Sequence, residues 1–423
     1  MDHSQLADRL RAVVKPSSTP VHRTAEPRRP YSAASLETAL GGVWEASRSG
    51  PCLMIDRVVP GDDRHGRMRV EEWAATFASC MSRVPLLLDA PPRAPFLFFD
   101  LETTGLSGGA GTCAFLVGSG WFDDSGAFLT RQFLLVDQDG EPAMLQAVAN
   151  ELGRAGVLVS FNGKSFDAPL LETRYLFHRL EWTPKDLPHL DVLHPARRFW
   201  GGARRAAVDT RRESECSLAA LESSVIGARR LNDVPGFQIP ARYFHFLRSG
   251  DAQPLASVLN HNRVDLLTLA CLTSWLLHLL DGGADRVRTT DEAVAVGRLY
   301  ARAGHVSEAR DAFHRALELG PVADGWFEAL RLLAQLERRM RRFEEAARYW
   351  RRALEEPRCP APLACEASEA LAVHHEHRVR DLEGARAFAT QSLDDSRPGW
   401  SRQVRHRLAR LDRKLGQRGA LLG

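Results

Sequence analysis

Four carboxylates in three separated blocks carry the chemistry open to this chain: Asp100 and Glu102 in FFDLETTG, Asp167 in FNGKSFDAPLL, and Asp265 in HNRVDLLTL. Each block abuts a strongly apolar stretch, so folding delivers the acids to the edge of a core. Carboxylates gathered there repel one another unless cations neutralise them, and two hard divalent metals are the usual solution. In DLETTG, Asp100 ends an expected strand and Glu102 lies two residues on. Alternation points both side chains to one face and Leu101 to the other, so the pair can share a cation. Taken alone, the same pattern also suits a turn with solvated acids.

The second and third blocks add candidates of the same kind. Asp167 starts an expected helix after a buried strand, with Pro169 in the first turn. It reads either as an ordinary N-terminal helix acid or as a metal ligand facing the sheet. Asn162 and Lys164 sit on the loop between, placed for a hydrogen bond and a phosphate contact, while Phe161 and Phe166 read as core or wall residues. His261 and Asp265 are one helical turn apart and share a face. Asp191, in HLDVLHPARR, is a possible fifth acid, with a turn role or an ion pair to Arg197 as the alternatives. From Arg197 to Arg212 six arginines surround Phe199, Trp200 and two glycines. That stretch reads as a mobile strand-binding loop, with Arg197 and Arg198 on phosphates and Trp200 stacking a base, or equally as a solvated basic loop.

These residues need a scaffold. PFLFFD, AFLVGSGWF and LTRQFLLVD read as three successive strands, Pro142 to Arg154 as a helix, VLVSFNG as a buried strand, and Asp167 to Arg179 as a helix. LPHLDVLH is a further strand candidate, and Leu218 to Leu280 is mainly helical around the Pro-rich DVPGFQIP. Such an order predicts a mixed sheet flanked by helices. Ahead of it, residues 1–30 form a Pro-, Arg- and Ser-rich lead-in and 31–92 an accessory segment that packs on the sheet domain. The last third changes character: Ala309, Ala312, Ala316 and Leu317 recur as Ala346, Tyr349, Ala353 and Leu354, with a weaker third copy at Ala385 and Leu393. RQVRHRLARLDRKLG then reads as a polar capping helix.

Composition narrows the class. With 423 residues, 44% hydrophobic and 26% charged, the chain has the makings of a multidomain globular protein. Its longest apolar run, Leu266 to Leu280, is interrupted and falls short of the ~20 residues a membrane helix needs, so no membrane is expected. The amino terminus lacks the apolar core of a secretory signal. Seven scattered cysteines without a CxxC pair point to a reducing cytoplasm rather than to disulfides or a thiolate zinc site. A net charge of +3 does not by itself argue for nucleic acid. LSGGAGT lacks the GK[ST] ending of a phosphate loop, and consecutive helical residues in HHEH (374–377) point in different directions.

Taken together, DxE followed by Thr103-Thr104-Gly105, then Asn162 with Asp167, then His261 with Asp265 resemble the DEDD exonucleases of the ribonuclease H-like superfamily. LDVLHPARRFW, CSLAALE, DVPGFQIPARYF and HNRVDLLTL resemble the bacterial YprB-like group, which joins such a domain to tetratricopeptide-like repeats. The paired helices of the last third are similar to those repeats, whose usual period is ~34 residues. This resemblance implies an α/β ribonuclease H-like domain over 93–284 and an all-α repeat domain over 289–418. It further implies two Mg²⁺ or Mn²⁺ ions held by Asp100, Glu102, Asp167 and Asp265, with His261 as general base. Thr103, Asn162, Lys164, Arg197, Arg198 and Trp200 would then touch the substrate. His261 departs from the histidine class, whose base stands five residues before the last Asp, where this chain has Asn260. A 3′→5′ exonuclease acting on DNA or RNA is the implied activity, with a protein partner expected on the repeats. The alternative is a repeat-based scaffold whose nuclease domain is weak or silent.

Overall fold

The computed structural model describes residues 32–422 except 89, 106–110, 202–215, 231–232, 321–323 and 394–397. The lead-in 1–30, most of the glycine-rich LSGGAGT and the greater part of Arg197 to Arg212 therefore lie outside the described residues. Helix α1 (Ala33–Leu40) precedes strands β1 (Val43–Ser47) and β2 (Gly50–Val59). A two-residue ladder, β3 (Arg64–His65) with β4 (Met68–Arg69), leads into α2 (Val70–Ser79). Next come β5 (Phe96–Thr103), β6 (Ala114–Phe122), β7 (Phe128–Leu134), α3 (Glu141–Leu152), β8 (Val157–Ser160), α4 (Asp167–Phe177), β9 (His189–Asp191) and α5 (Leu193–Trp200). Helices α6 (Leu218–Leu221), α7 (Ile239–Ser249) and α8 (Gln253–Gly282) complete this part.

Seven strands form one mixed sheet in the order β1-β2-β7-β6-β5-β8-β9. Pairing is antiparallel from β1 through β5 and parallel from β5 to β8 and β8 to β9. The three-stranded meander expected from the alternating apolar runs is present as β5-β6-β7. GPCLMIDRVV of the accessory segment does more than pack on it: as β2 it pairs along β7 from Leu53–Leu134 to Val59–Phe128. Strand β5 sits centrally, between an antiparallel and a parallel neighbour. Phe96 and Phe98 enter one core and Leu97, Phe99 and Leu101 the other, so both faces of the strand are covered. Asp100 and Glu102 continue the Phe96–Phe98 row by twos and keep its face.

Helix α8 lies over that face. Leu255, Val258 and Leu259 belong to one core, and Leu266 onward to the other. Between these apolar halves fall Asn262 and Asp265, directly over the strand ends. Close approach is possible because Gly118 stands opposite Asp100 in the register; a Cβ there would collide with Asn262 Oδ1. Although α8 is long and apolar enough to cross a membrane, 72% of its most apolar stretch is buried within the fold. Its length exceeds the expected apolar run because the turns from Gln253 to Val264 precede it.

The remaining described residues are mainly helical: α9 (Thr290–Ala303), α10 (Val306–Glu318), α11 (Asp324–Arg339), α12 (Phe343–Glu355), α13 (Ala361–His374), α14 (Leu382–Gln391) and α15 (Pro398–Leu422). Each packs on the next. Ala309, Ala312, Ala316, Ala346, Ala353 and Ala385 are buried where neighbouring helices meet, which is what small residues at fixed positions permit. One apolar core runs without a break from Phe98 and α8 into α9 through α13. The HHEH string ends α13 and enters a π turn, where Glu376 takes Arg407, Arg410 and Lys414 as partners. It is an ion-paired anchor for α15.

Candidate functional site

The sheet and α8 bring acids from all three blocks to one edge. Carboxylate and imidazole atoms of Glu102, His261 and Asp265 all lie within 4.8 Å of one another. Asp100 joins through Asn262, whose Nδ2 donates to Asp100 Oδ2 at 2.8 Å and to its carbonyl oxygen at 3.2 Å. Asn262 is itself held, because Gln132 Nε2 donates to its Oδ1 at 2.8 Å and to the Leu259 carbonyl. Asp167 stands at the first position of α4, outside the tight trio but close enough for its charge to act on Asp100 and Glu102.

Electrostatics record this gathering. Burial pushes the Asp100 carboxyl well above the ordinary carboxylate range, and the charges of Asp265, Glu102 and Asp167 push it further. Glu102 rises for the same reasons: burial first, then Asp265, Asp167 and Asp233, with Arg230 opposing. Asp167 is raised to about 7, by burial and then by Asp191. Burial also raises Asp265, against the pull of Arg230 and His261. Four acids that each disfavour ionisation form a site short of positive charge.

His261 is oriented from both ends. Its Nδ1 lies 2.7 Å from Asp233 Oδ1 and its Nε2 3.3 Å from Asp265 Oδ2. Asp233 belongs to the Pro-rich interruption between α6 and α7, a role that no periodicity announces. Arg230, from the same stretch, is the other residue missed by sequence reasoning. It donates to Glu222 at 2.7 Å, to Asp233 at 3.1 Å and to Asp265 at 2.5 Å. Glu222 and Arg230 are both nearly buried. Removing one partner of such a pair leaves an uncompensated charge, so Arg230→Ala is expected to lower folding stability by about 3–5 kcal/mol. Chemical denaturation checks this; a loss under about 1 kcal/mol would mean that water replaces the guanidinium.

The loop before α4 is shaped by Asp191. Its carboxylate accepts the backbone N–H groups of Asn162 at 2.8 Å, Leu193 at 3.1 Å and Lys164 at 3.2 Å. Asp191 is buried and points into that loop, a scaffold role in place of both the fifth-ligand and the Arg197 readings. Asn162 adopts φ 67°, a left-handed conformation that asparagine tolerates. At Gly163 a Cβ would stand 2.5 Å from Ser160 Oγ and 3.0 Å from Asp167 Oδ2, so only glycine lets the loop close over the acid. Lys164 is exposed beside it. Phe166, expected in a wall, is 61% exposed next to Asp167; Phe161 does pack against the core. Thr103 Oγ1 donates to the Gly105 carbonyl at 3.0 Å and shapes the strand end.

Arg197, Arg198 and Trp200 lie on helix α5 and not on a loop. Both arginines are exposed. Trp200 is half-buried against the core, and its Nε1 donates to Glu292 Oε1 of α9 at 3.2 Å. A seam between sheet and helical region therefore holds the indole that was expected to stack a base.

A family model described as the RNase_H superfamily matches residues 97–277, from β5 to the last turns of α8. "Uncharacterized protein YprB" of Bacillus subtilis (strain 168) is 31% identical over 390 residues, covering 88% of this chain and 90% of that protein. Among solved structures, the family B DNA polymerase from the hyperthermophilic archaeon Pyrobaculum calidifontis aligns at 12% identity with a TM-score of 0.35. That alignment covers 50% of this chain and 30% of the polymerase, so the chain spans under a third of it. With a mixed sheet and flanking helices over the matched span, this chain belongs to the YprB family and carries a ribonuclease H superfamily domain.

Proposed function

We propose that the protein is a metal-dependent nuclease that hydrolyses phosphodiester bonds, specifically a DEDD-type 3′→5′ exonuclease using two Mg²⁺ or Mn²⁺ ions. The observation that carries this reading is the convergence of acids from distant blocks: Glu102, His261 and Asp265 atoms lie within 4.8 Å of one another, Asn262 ties Asp100 to α8, and the charges of Asp167 and Asp265 act on both Asp100 and Glu102. The donor set fits such ions, because carboxylate oxygens are the ligands hard divalent cations prefer. Arg230 offsets the negative charge mainly at Asp265.

When bound by these four acids, the ions supply an activated water and charge stabilisation at the attacking and leaving oxygens. His261 would be the residue to take a proton from the attacking water: Asp233 fixes its Nδ1, which leaves Nε2, on the side of Asp265, as the basic atom of the neutral ring. Asn262 holds the Asp100 carboxylate in place. Thr103 and Asn162 flank the acids, and Lys164, Arg197 and Arg198 offer exposed charges to phosphates. Trp200 serves instead to fix α5. The helical region, with its tetratricopeptide-like spacing, recruits a protein partner or guides the substrate. Seven cysteines with no disulfide among the described residues suit a reducing cytoplasm.

End-labelled DNA and RNA oligomers incubated with and without Mn²⁺ test the reading. Shortening from the 3′ end, only with metal, is the expected result; intact oligomers under every metal condition would reject it. A second reading has one observation in its favour. The Arg230 guanidinium already contacts Asp265 at 2.5 Å, a resident cation that a silent site in a binding scaffold would need. Under that reading Mn²⁺ leaves the melting temperature of the wild type unchanged.

A further inference from the structure

The helical region opens two cavities that share a wall. The larger, about 970 Å³, is lined by Arg338, Arg339, Arg378, Phe343, Trp350 and Trp400 among others. The smaller, about 360 Å³, is lined by Arg198, Arg298, Arg302 and Phe313 among others. Gln335 and Arg339 line both, so the two are parts of one groove. Its acids are engaged: Glu366 accepts from Arg331 and Gln335, and Glu369 from Arg407. Arg298 is likewise taken, by Glu328. Arg302, Arg338 and Arg339 are exposed and pair with no carboxylate among the described residues. The groove is therefore net positive where a ligand would enter.

One end of it meets the sheet domain that carries the acids. Arg198 lies on α5, which starts two residues after Asp191, the residue whose carboxylate organises the loop ahead of Asp167. At the far end of α5, Trp200 is bonded to α9.

We propose that this groove carries the phosphate backbone of a single-stranded nucleic acid between the helical region and the acidic site. The inference rests on the nuclease reading and extends it to substrate class. Guanidinium forks match phosphates, and the exposed Arg302, Arg338 and Arg339 supply three of them along the groove. An acidic peptide would satisfy the arginines too, but only a phosphate strand is what the acids of the adjoining sheet domain would act on under that reading.

The test uses full-length chain carrying Asp100→Ala, which prevents cleavage, with fluorescent oligothymidylate and oligouridylate read by anisotropy over a salt series. Adding Arg302→Ala, Arg338→Ala and Arg339→Ala is expected to weaken binding about tenfold or more at ~150 mM salt. The slope of log affinity against log salt should fall by about 2, at ~0.7 per lost phosphate contact. A control with Arg48→Ala, Arg93→Ala and Arg248→Ala removes equal charge from exposed positions off the groove and should stay within about twofold of the parent. All six side chains are exposed, so the folded state survives in both. The proposal is overturned if the groove variant binds like its parent, if the control loses as much, or if the groove variant loses polyglutamate while keeping the strand. Absence of hydrolysis by the wild type would count against the nuclease reading alone, since this measurement needs no turnover.

Discussion

Asp100→Ala is expected to reduce metal-dependent hydrolysis by about a thousandfold or more while leaving the fold intact. Each ion of such a pair contributes several kcal/mol of charge stabilisation, and about 1.4 kcal/mol is worth a factor of ten. The charges of the other three all act on Asp100, and Asn262 holds its carboxylate against α8. Its removal also relieves repulsion, so the variant should be at least as heat-stable without metal as the wild type. Mn²⁺ should raise the melting temperature of the wild type and not of the variant. Asp265→Asn should match it in activity, but with a smaller stability gain, because Arg230 already compensates Asp265. Cleavage at wild-type rates by either purified variant would remove the acids from the reaction. Full inactivity with an unchanged Mn²⁺ shift would place the metal elsewhere.

How much of this could be read from the chain depends on which interactions are local. Strands β5, β6 and β7 alternate or run apolar between turn residues, and α4 and α8 follow clear apolar stretches, so both the elements and the acids they carry were foreseeable. Side-chain partners set by loops were not. Arg230 and Asp233 sit in an aperiodic stretch, and only the folded path shows that they cap His261 and Asp265. Asp191 stayed open between ligand, turn residue and ion pair, because an acid at a strand end has the same local sequence whether it faces a metal or three backbone N–H groups; the turn role is the one its partners fit. Trp200 was misjudged for a similar reason: its partner, Glu292, is 92 residues away. Gly118 gave no signal in AFLVGSGWF, and its purpose appears only when Asn262 occupies the space above it.

Acidity of the site also predicts a pH signature. Asp167 is raised to about 7 and Asp100 and Glu102 well above their ordinary values, so the metal-free fold binds more protons than the unfolded chain. For a raised carboxyl the stabilising contribution is complete below the unfolded pKa near 4 and is lost as pH climbs through the folded one. Buried histidines act oppositely. His189 is lowered to about 4, by burial and by Lys164 with Asp191 opposing, and burial also lowers His65. Their contribution is complete above ~6.5 and is lost on acidification. Above pH ~6.5 the carboxyls are left alone, so the metal-free melting temperature should fall from there to pH 8. Divalent ions must displace those protons, and apparent affinity should rise about tenfold per pH unit for each proton released. Melting curves in chelator and in Mn²⁺ across pH 6.5–8 should therefore diverge, the first falling while the metal-induced shift grows. Asp100→Ala should flatten both trends. Parallel curves in the wild type would mean that the acids are ionised without metal, and the case for a cation-hungry site would go with them.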